Sequence, residues 1–120
     1  MCPGYNIIIY RYYLHVDLKS ENSDTTLNIT FVNMSSSPID VVWIDFAGNE
    51  IVYSSSLAVG DEYEVNTYFT HPWIFKSSID TRTKIVARAN DYVETIFEAS
   101  DFDLSPNSRV KVDIIDGMTL

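Results

Sequence analysis

Between Asn66 and Phe75 the chain reads NTYFTHPWIF, which crowds hydroxyl, phenol, imidazole and indole side chains around one His-Pro step. Hydroxyls and imidazole can donate and accept hydrogen bonds, and the larger rings offer flat apolar faces. Such a set suits a pocket for an apolar ring that carries one polar group. It equally suits a pair of strands that buries its aromatics at a proline-marked bend. Other chemistries leave weaker signatures. His15-Val-Asp17, with His71 far downstream, follows the His-x-Asp…His order of a non-haem iron site on a β-fold. Folds of that kind place strands ahead of the first histidine, and almost no chain precedes His15. A histidine on the polar face of a strand is more often simply solvated. A serine hydrolase lacks its nucleophile elbow, since no Gly-x-Ser-x-Gly occurs.

The elements that must position these residues are strands. From Ile8 through Tyr10, Tyr12, Leu14, Val16 and Leu18 every second residue is apolar, so residues 6–18, within an N-terminal extension 1–20, read as a long half-buried strand. The polar SENSD run (20–24) is a loop, and Leu27, Ile29 and Phe31 resume the alternation. After the SSSP break, Val42, Ile44 and Phe46 are expected in the core, with Val41, Trp43 and Asp45 on the other face. Ala47-Gly48-Asn49 reads as a hairpin turn into Glu50–Tyr53. Further strands are expected at 62–68, 72–76, 84–88, 92–98 and 109–115, with a turn around 98–104. No helical periodicity of useful length occurs. Many short strands separated by turn signals predict an all-β chain, a sandwich of about seven to eight mostly antiparallel strands forming one domain over residues 1–120.

Composition narrows the function classes. With 46% hydrophobic and 21% charged residues the chain has the balance of a folded globule. Seventeen acidic residues against eight basic ones give a net charge of −9, which argues against nucleic acid or an anionic membrane as partner. The one cysteine, Cys2, excludes an internal disulfide and a cysteine-rich zinc cluster. The apolar start carries Arg11, His15 and Asp17 and lacks a small-residue cleavage site, so it is a poor signal peptide and too short to span a membrane. A cytoplasmic or nuclear protein is expected. The sequons at Asn28 and Asn33 would matter only in a secreted one.

One ordered set of motifs is more specific. Trp43-Ile-Asp-Phe-Ala-Gly48 is followed by Tyr53, Gly60 and Tyr68-Phe-Thr-His71-Pro-Trp73-Ile-Phe75, with Phe31-Val-Asn33 and Ser35 upstream. This resembles the β-domain of the von Hippel–Lindau tumour suppressor family over residues 27–100, with one extra residue in Ser54-Ser55-Ser56. The resemblance implies a non-catalytic module that binds an extended peptide bearing 4-hydroxyproline, as in a hypoxia-inducible factor α subunit, and serves as substrate receptor of a ubiquitin ligase. It implies that Trp43, Tyr53 and Trp73 wall a slot for the pyrrolidine ring, Tyr53 also holding the peptide backbone. Thr67 and His71 would bind the added hydroxyl, and Asn66 and Tyr68 would stand on the rim beside a strand-like peptide. The chemistry agrees with those roles, because indole and phenol faces suit a proline ring while a buried hydroxyl needs both a donor and an acceptor. No metal or cofactor is expected.

The chain also departs from the family. Thr67 stands where the family has Ser, Asn66 where it has His, and Thr70 where it has a turn glycine. Pro72 removes one backbone donor. SENSD carries no basic residue where the family places one. The family continues into a helical domain that opens with a Leu-x-x-x-Cys box for elongin C. The sequence ends at Met118-Thr119-Leu120, about where that box would begin, and contains no such box. Elongin binding is therefore not expected from this chain.

Overall fold

The computed structural model describes residues 18–117; the expected strand at 6–18, with His15 and Asp17 of the iron-site alternative, lies outside them. Among the described residues nine strands are found: β1 (Thr26–Asn33), β2 (Ile39–Ile44), β3 (Glu50–Leu57), β4 (Glu62–Tyr68), β5 (Trp73–Ser77), β6 (Ile85–Ala89), β7 (Tyr92–Glu94), β8 (Ile96–Phe97) and β9 (Arg109–Asp116). They form two sheets, ordered β4-β1-β9-β6-β7 and β3-β2-β5-β8. All neighbours are antiparallel except β1 and β9, which run parallel. The chain is thus an all-β sandwich. The expected strand at 92–98 is two strands instead, because after Glu94 the chain leaves the first sheet and Ile96–Phe97 joins the second.

Alternation decides which side chains meet between the sheets. From the five-stranded sheet come Leu27, Ile29, Phe31, Ile85, Ala87, Val112 and Ile114, all buried. From the other come Ile39, Val41, Trp73, Phe75 and Phe97. Phe31 is the hub: its ring lies 5.6 Å from Trp73, 5.0 Å from Phe75 and 5.6 Å from Phe97.

The expected register of β2 needs correction. Ile39 and Val41 belong to the core between the sheets, and Trp43, next on that face, packs against its margin. Val42 and Ile44 are buried on the opposite face, outside that core cluster. Both faces of β2 are covered, and a strand buried on both faces gives no alternation from which to tell inside from outside. Phe46 is 50% exposed rather than buried, because β2 ends at Ile44 and the 45–49 turn carries it away.

That turn is built by Asp45, whose Oδ1 accepts from the N–H groups of Ala47 and Asn49 at 2.9 and 2.8 Å. Gly48 adopts φ +86°, a conformation that favours glycine. Two bulges follow in β3. Val41 faces Ser54 while Val42 faces Val52, leaving Tyr53 as an extra residue, and Ile39 faces Leu57 across a second irregularity. The second bulge falls within Ser54-Ser55-Ser56. Ser56 turns to φ +54°, and its N–H is held by Asp40 Oδ1 at 2.9 Å.

Candidate functional site

At one end of the sandwich β4 finishes, the chain turns, and β5 begins. The turn is Tyr68–His71, closed by the His71 N–H donating to the Tyr68 carbonyl at 3.1 Å. Thr70 occupies it without a left-handed backbone, so the position needs no glycine. Its hydroxyl has a different task. Thr70 Oγ1 accepts from the Asn22 N–H and donates to the Asn22 carbonyl, both at 3.2 Å. The Phe69 N–H donates to the Thr25 carbonyl at 2.9 Å. The polar loop at 20–25 is therefore laced along the turn.

Three rings gather on His71. The Trp43 indole stacks on it at 5.5 Å and 30°, Phe46 meets it edge-on at 5.3 Å, and Tyr68 leans against it at 4.9 Å. Tyr53 stands behind, 5.9 Å from Trp43 and 5.1 Å from Trp73. Phe46 was not among the expected site residues. Its place at the end of a strand expected to be buried concealed it, and only its position three residues after Trp43 at a turn hints at the contact.

The polar atoms are unevenly satisfied. Thr67 is 2% exposed, and its Oγ1 accepts a hydrogen bond from Trp73 Nε1 at 3.0 Å. Its own proton remains for another acceptor. His71 Nε2 and Trp43 Nε1 are both buried without a hydrogen-bond partner among the described residues. Leaving such atoms unpaired is costly, and native folds do so rarely outside sites of function. Burial pulls the His71 imidazole below its ordinary value of 6.5, while a backbone hydrogen bond at Asn22 pulls the other way. In the neutral form that burial favours, an imidazole carries one proton, so its two ring nitrogens divide between donor and acceptor. The cluster therefore presents an unpaired imidazole nitrogen at His71, a donor at Trp43 and a hydroxyl at Thr67.

Of the seven expected residues, Trp43, Tyr53, Tyr68, His71 and Trp73 are linked by ring contacts, and Thr67 joins them through Trp73. Asn66 stays apart. It faces the solvent side of β4, where its Oδ1 accepts from Asn28 Nδ2 at 2.8 Å. Trp73 is only 2% exposed and packs into the core on Phe31, so it lies behind the mouth rather than at it.

A family model described as VHL beta domain matches residues 18–99. The chain belongs to this family. A search of curated proteins gave no significant match. Members of the VHL beta domain family are recognition domains rather than enzymes, which makes this chain a protein-binding module in general terms. The matched stretch runs from the 18–25 loop to the short 3-10 helix Ala99–Asp101, and so contains every residue of the ring cluster. Among the described residues no helix is long and apolar enough to cross a membrane.

Proposed function

We propose that this domain reads an extended peptide carrying 4-hydroxyproline, as a hypoxia-inducible factor α subunit does, and that it catalyses no reaction. One observation carries the reading: two buried polar atoms, His71 Nε2 and Trp43 Nε1, lack partners inside a cluster of rings beside the Thr67 hydroxyl. A hydroxyl on a pyrrolidine ring would donate to His71 Nε2 and accept from Thr67. A carbonyl of the peptide backbone would accept from Trp43. Tyr53, 44% exposed, and the half-buried Trp43 offer ring faces at the mouth. Trp73 would act from behind by holding the Thr67 oxygen, and Tyr68 would border the slot. Asn66 would reach the peptide only by releasing Asn28.

Titration with two peptides identical except for one 4-hydroxyl tests this reading. With plain proline the Thr67 and His71 groups stay unpaired, at roughly 1–3 kcal/mol each. A preference of about 30-fold or more for the hydroxylated peptide is expected. Equal affinity would leave a cluster that only packs, the reading favoured by the near-complete burial of Thr67 and Trp73.

A further inference from the structure

The two sheets differ on the faces they turn away from each other. On the five-stranded sheet that face carries Asn28 bonded to Asn66, Lys111 paired with Glu62 and Arg88 paired with Asp113, groups at home in water. On the four-stranded sheet a row of branched apolar residues crosses from strand to strand. Val52, Val42, Ile74 and Ile96 stand in register, with Ile44 next along β2. Val52 at the β3 margin is exposed, but Val42, Ile44 and Ile96 are buried, although they lie outside the core between the sheets. Lys76 reaches across β2 to Glu50 and shelters Val42, a pair that runs away from Ile96. A sheet face this apolar calls for a covering layer.

The described residues begin at one end of that face. Ser20, itself buried, donates its N–H to the Asp45 carbonyl at 3.1 Å and its hydroxyl to the Ile44 carbonyl at 2.6 Å. The Leu18 carbonyl sits against Gly48, where a Cβ would lie 3.2 Å from it. Read backwards from Asn22 at Thr70, through Ser20 at Ile44, to Leu18 at Gly48, the chain crosses the end of the four-stranded sheet. Residues 6–17 therefore join it at the Ile44 end of the apolar row. Their sequence alternates, with Ile8, Tyr10, Tyr12, Leu14 and Val16 on one side and Arg11, His15 and Asp17 on the other. Extended, they reach about 40 Å, against about 20 Å for β2. We propose that residues 6–17 cover the outer face of the four-stranded sheet, their apolar side turned onto Ile44, Ile74 and Ile96. The segment then braces the candidate site from behind, because β2 carries Trp43 and leads into the Asp45 turn that swings Phe46 onto His71.

A nitroxide attached at Arg11→Cys, in the full chain with Cys2→Ser, tests this, since residue 11 stands on the polar side of the segment and spares the contact. Amide signals of β2, β5 and β8 should lose several-fold more intensity than those of β1, β9 and β6, which lie about 10 Å further off in the other sheet. Adding Tyr10→Ser, Tyr12→Ser and Leu14→Ser should abolish that contrast while the spectrum stays dispersed. Where the triple variant does not fold, the label in the otherwise unaltered segment decides alone. No loss, an even loss over both sheets, or a loss confined to the β3 edge overturns the proposal. So does a contrast that survives the triple substitution in a folded chain. When nitroxide-labelled chain is mixed with separately isotope-labelled chain, no loss is expected. The same pattern appearing in that mixture assigns the cover to a second copy and overturns docking by the chain's own segment.

Discussion

The indole Nε1 of Trp73 donates to Thr67 Oγ1 across 3.0 Å, joining the end of β4 in one sheet to the start of β5 in the other. One oxygen thus serves the fold as acceptor while its proton stays available to a ligand. Replacement Thr67→Val leaves the buried indole N–H unpaired and should cost about 1–3 kcal/mol in urea denaturation. Thr67→Ser keeps the oxygen and should lose much less. Equal losses in the two variants would show that the methyl, rather than the hydrogen bond, carries the stability.

Trp73 itself is a poor position for probing affinity. Its ring is buried against Phe31, so Trp73→Ala should destabilise by about 3–5 kcal/mol and reduce binding mainly by unfolding. Tyr53 is 44% exposed and touches both tryptophans, so Tyr53→Ala should weaken binding while its denaturation midpoint stays closer to that of the parent. A midpoint loss in Tyr53→Ala as large as that in Trp73→Ala would contradict this division.

Trp43→Phe removes an indole N–H that is buried without a partner. Stability should hold or rise by up to about 1 kcal/mol, since an unsatisfied donor is lost along with little packing. Peptide affinity should fall in the same variant. Loss of stability with unchanged affinity would mean that the N–H is satisfied in solution by water alone.

The pH dependence has a definite sign. The folded His71 has a value below the 6.5 of the unfolded chain, because burial disfavours its charged form. Between the two values the unfolded chain holds the proton and the folded chain does not. Its contribution is therefore fully present above 6.5 and is lost as pH falls below it, levelling off beneath the folded value. Denaturation midpoints measured from about pH 8 to about pH 5 should fall more in the parent than in His71→Gln, which has no such proton to gain. Parallel curves would remove His71 as the cause.

Thr70→Gly restores the residue type that the family places in this turn. Here it should destabilise by about 0.4–1 kcal/mol through added freedom of the unfolded chain, besides losing both hydrogen bonds to Asn22. A gain in stability would show that the Thr70 backbone is under strain.

Much of the strand order was legible because alternation and turn residues coincide. The strand expected at 62–68 is β4, residue for residue; those expected at 72–76 and 84–88 are shifted by one residue from β5 and β6, and that at 109–115 stops one residue short of β9. Two things were not legible. In β2 the Ile-Asp-Val-Val-Trp-Ile run is covered on both sides, so its pattern does not say which face meets the other sheet. At Thr95 a single apolar stretch changes sheets, a tertiary event without a local signal. Within the site, side-chain types pointed to Thr67, His71 and the rings. The opposite facing of Asn66 follows from its register with Asn28, which only pairing reveals. The inward swing of Phe46 depends on the Asp45 turn in the same way.

The parallel pairing of β1 with β9 has a consequence for when the site can exist during synthesis. β9 lies in the middle of its sheet, between β1 and β6, yet its residues are the last of the nine strands to leave the ribosome. Until they do, among the described strands the ribbon of β4 and β1 has no backbone pairing to β6 and β7 and is held only by packing on the second sheet. The Thr67 end of the slot hangs on that ribbon, whereas the Trp43 end belongs to the other sheet. A nascent chain therefore carries both halves of the ring cluster well before β9 closes the sheet behind one of them.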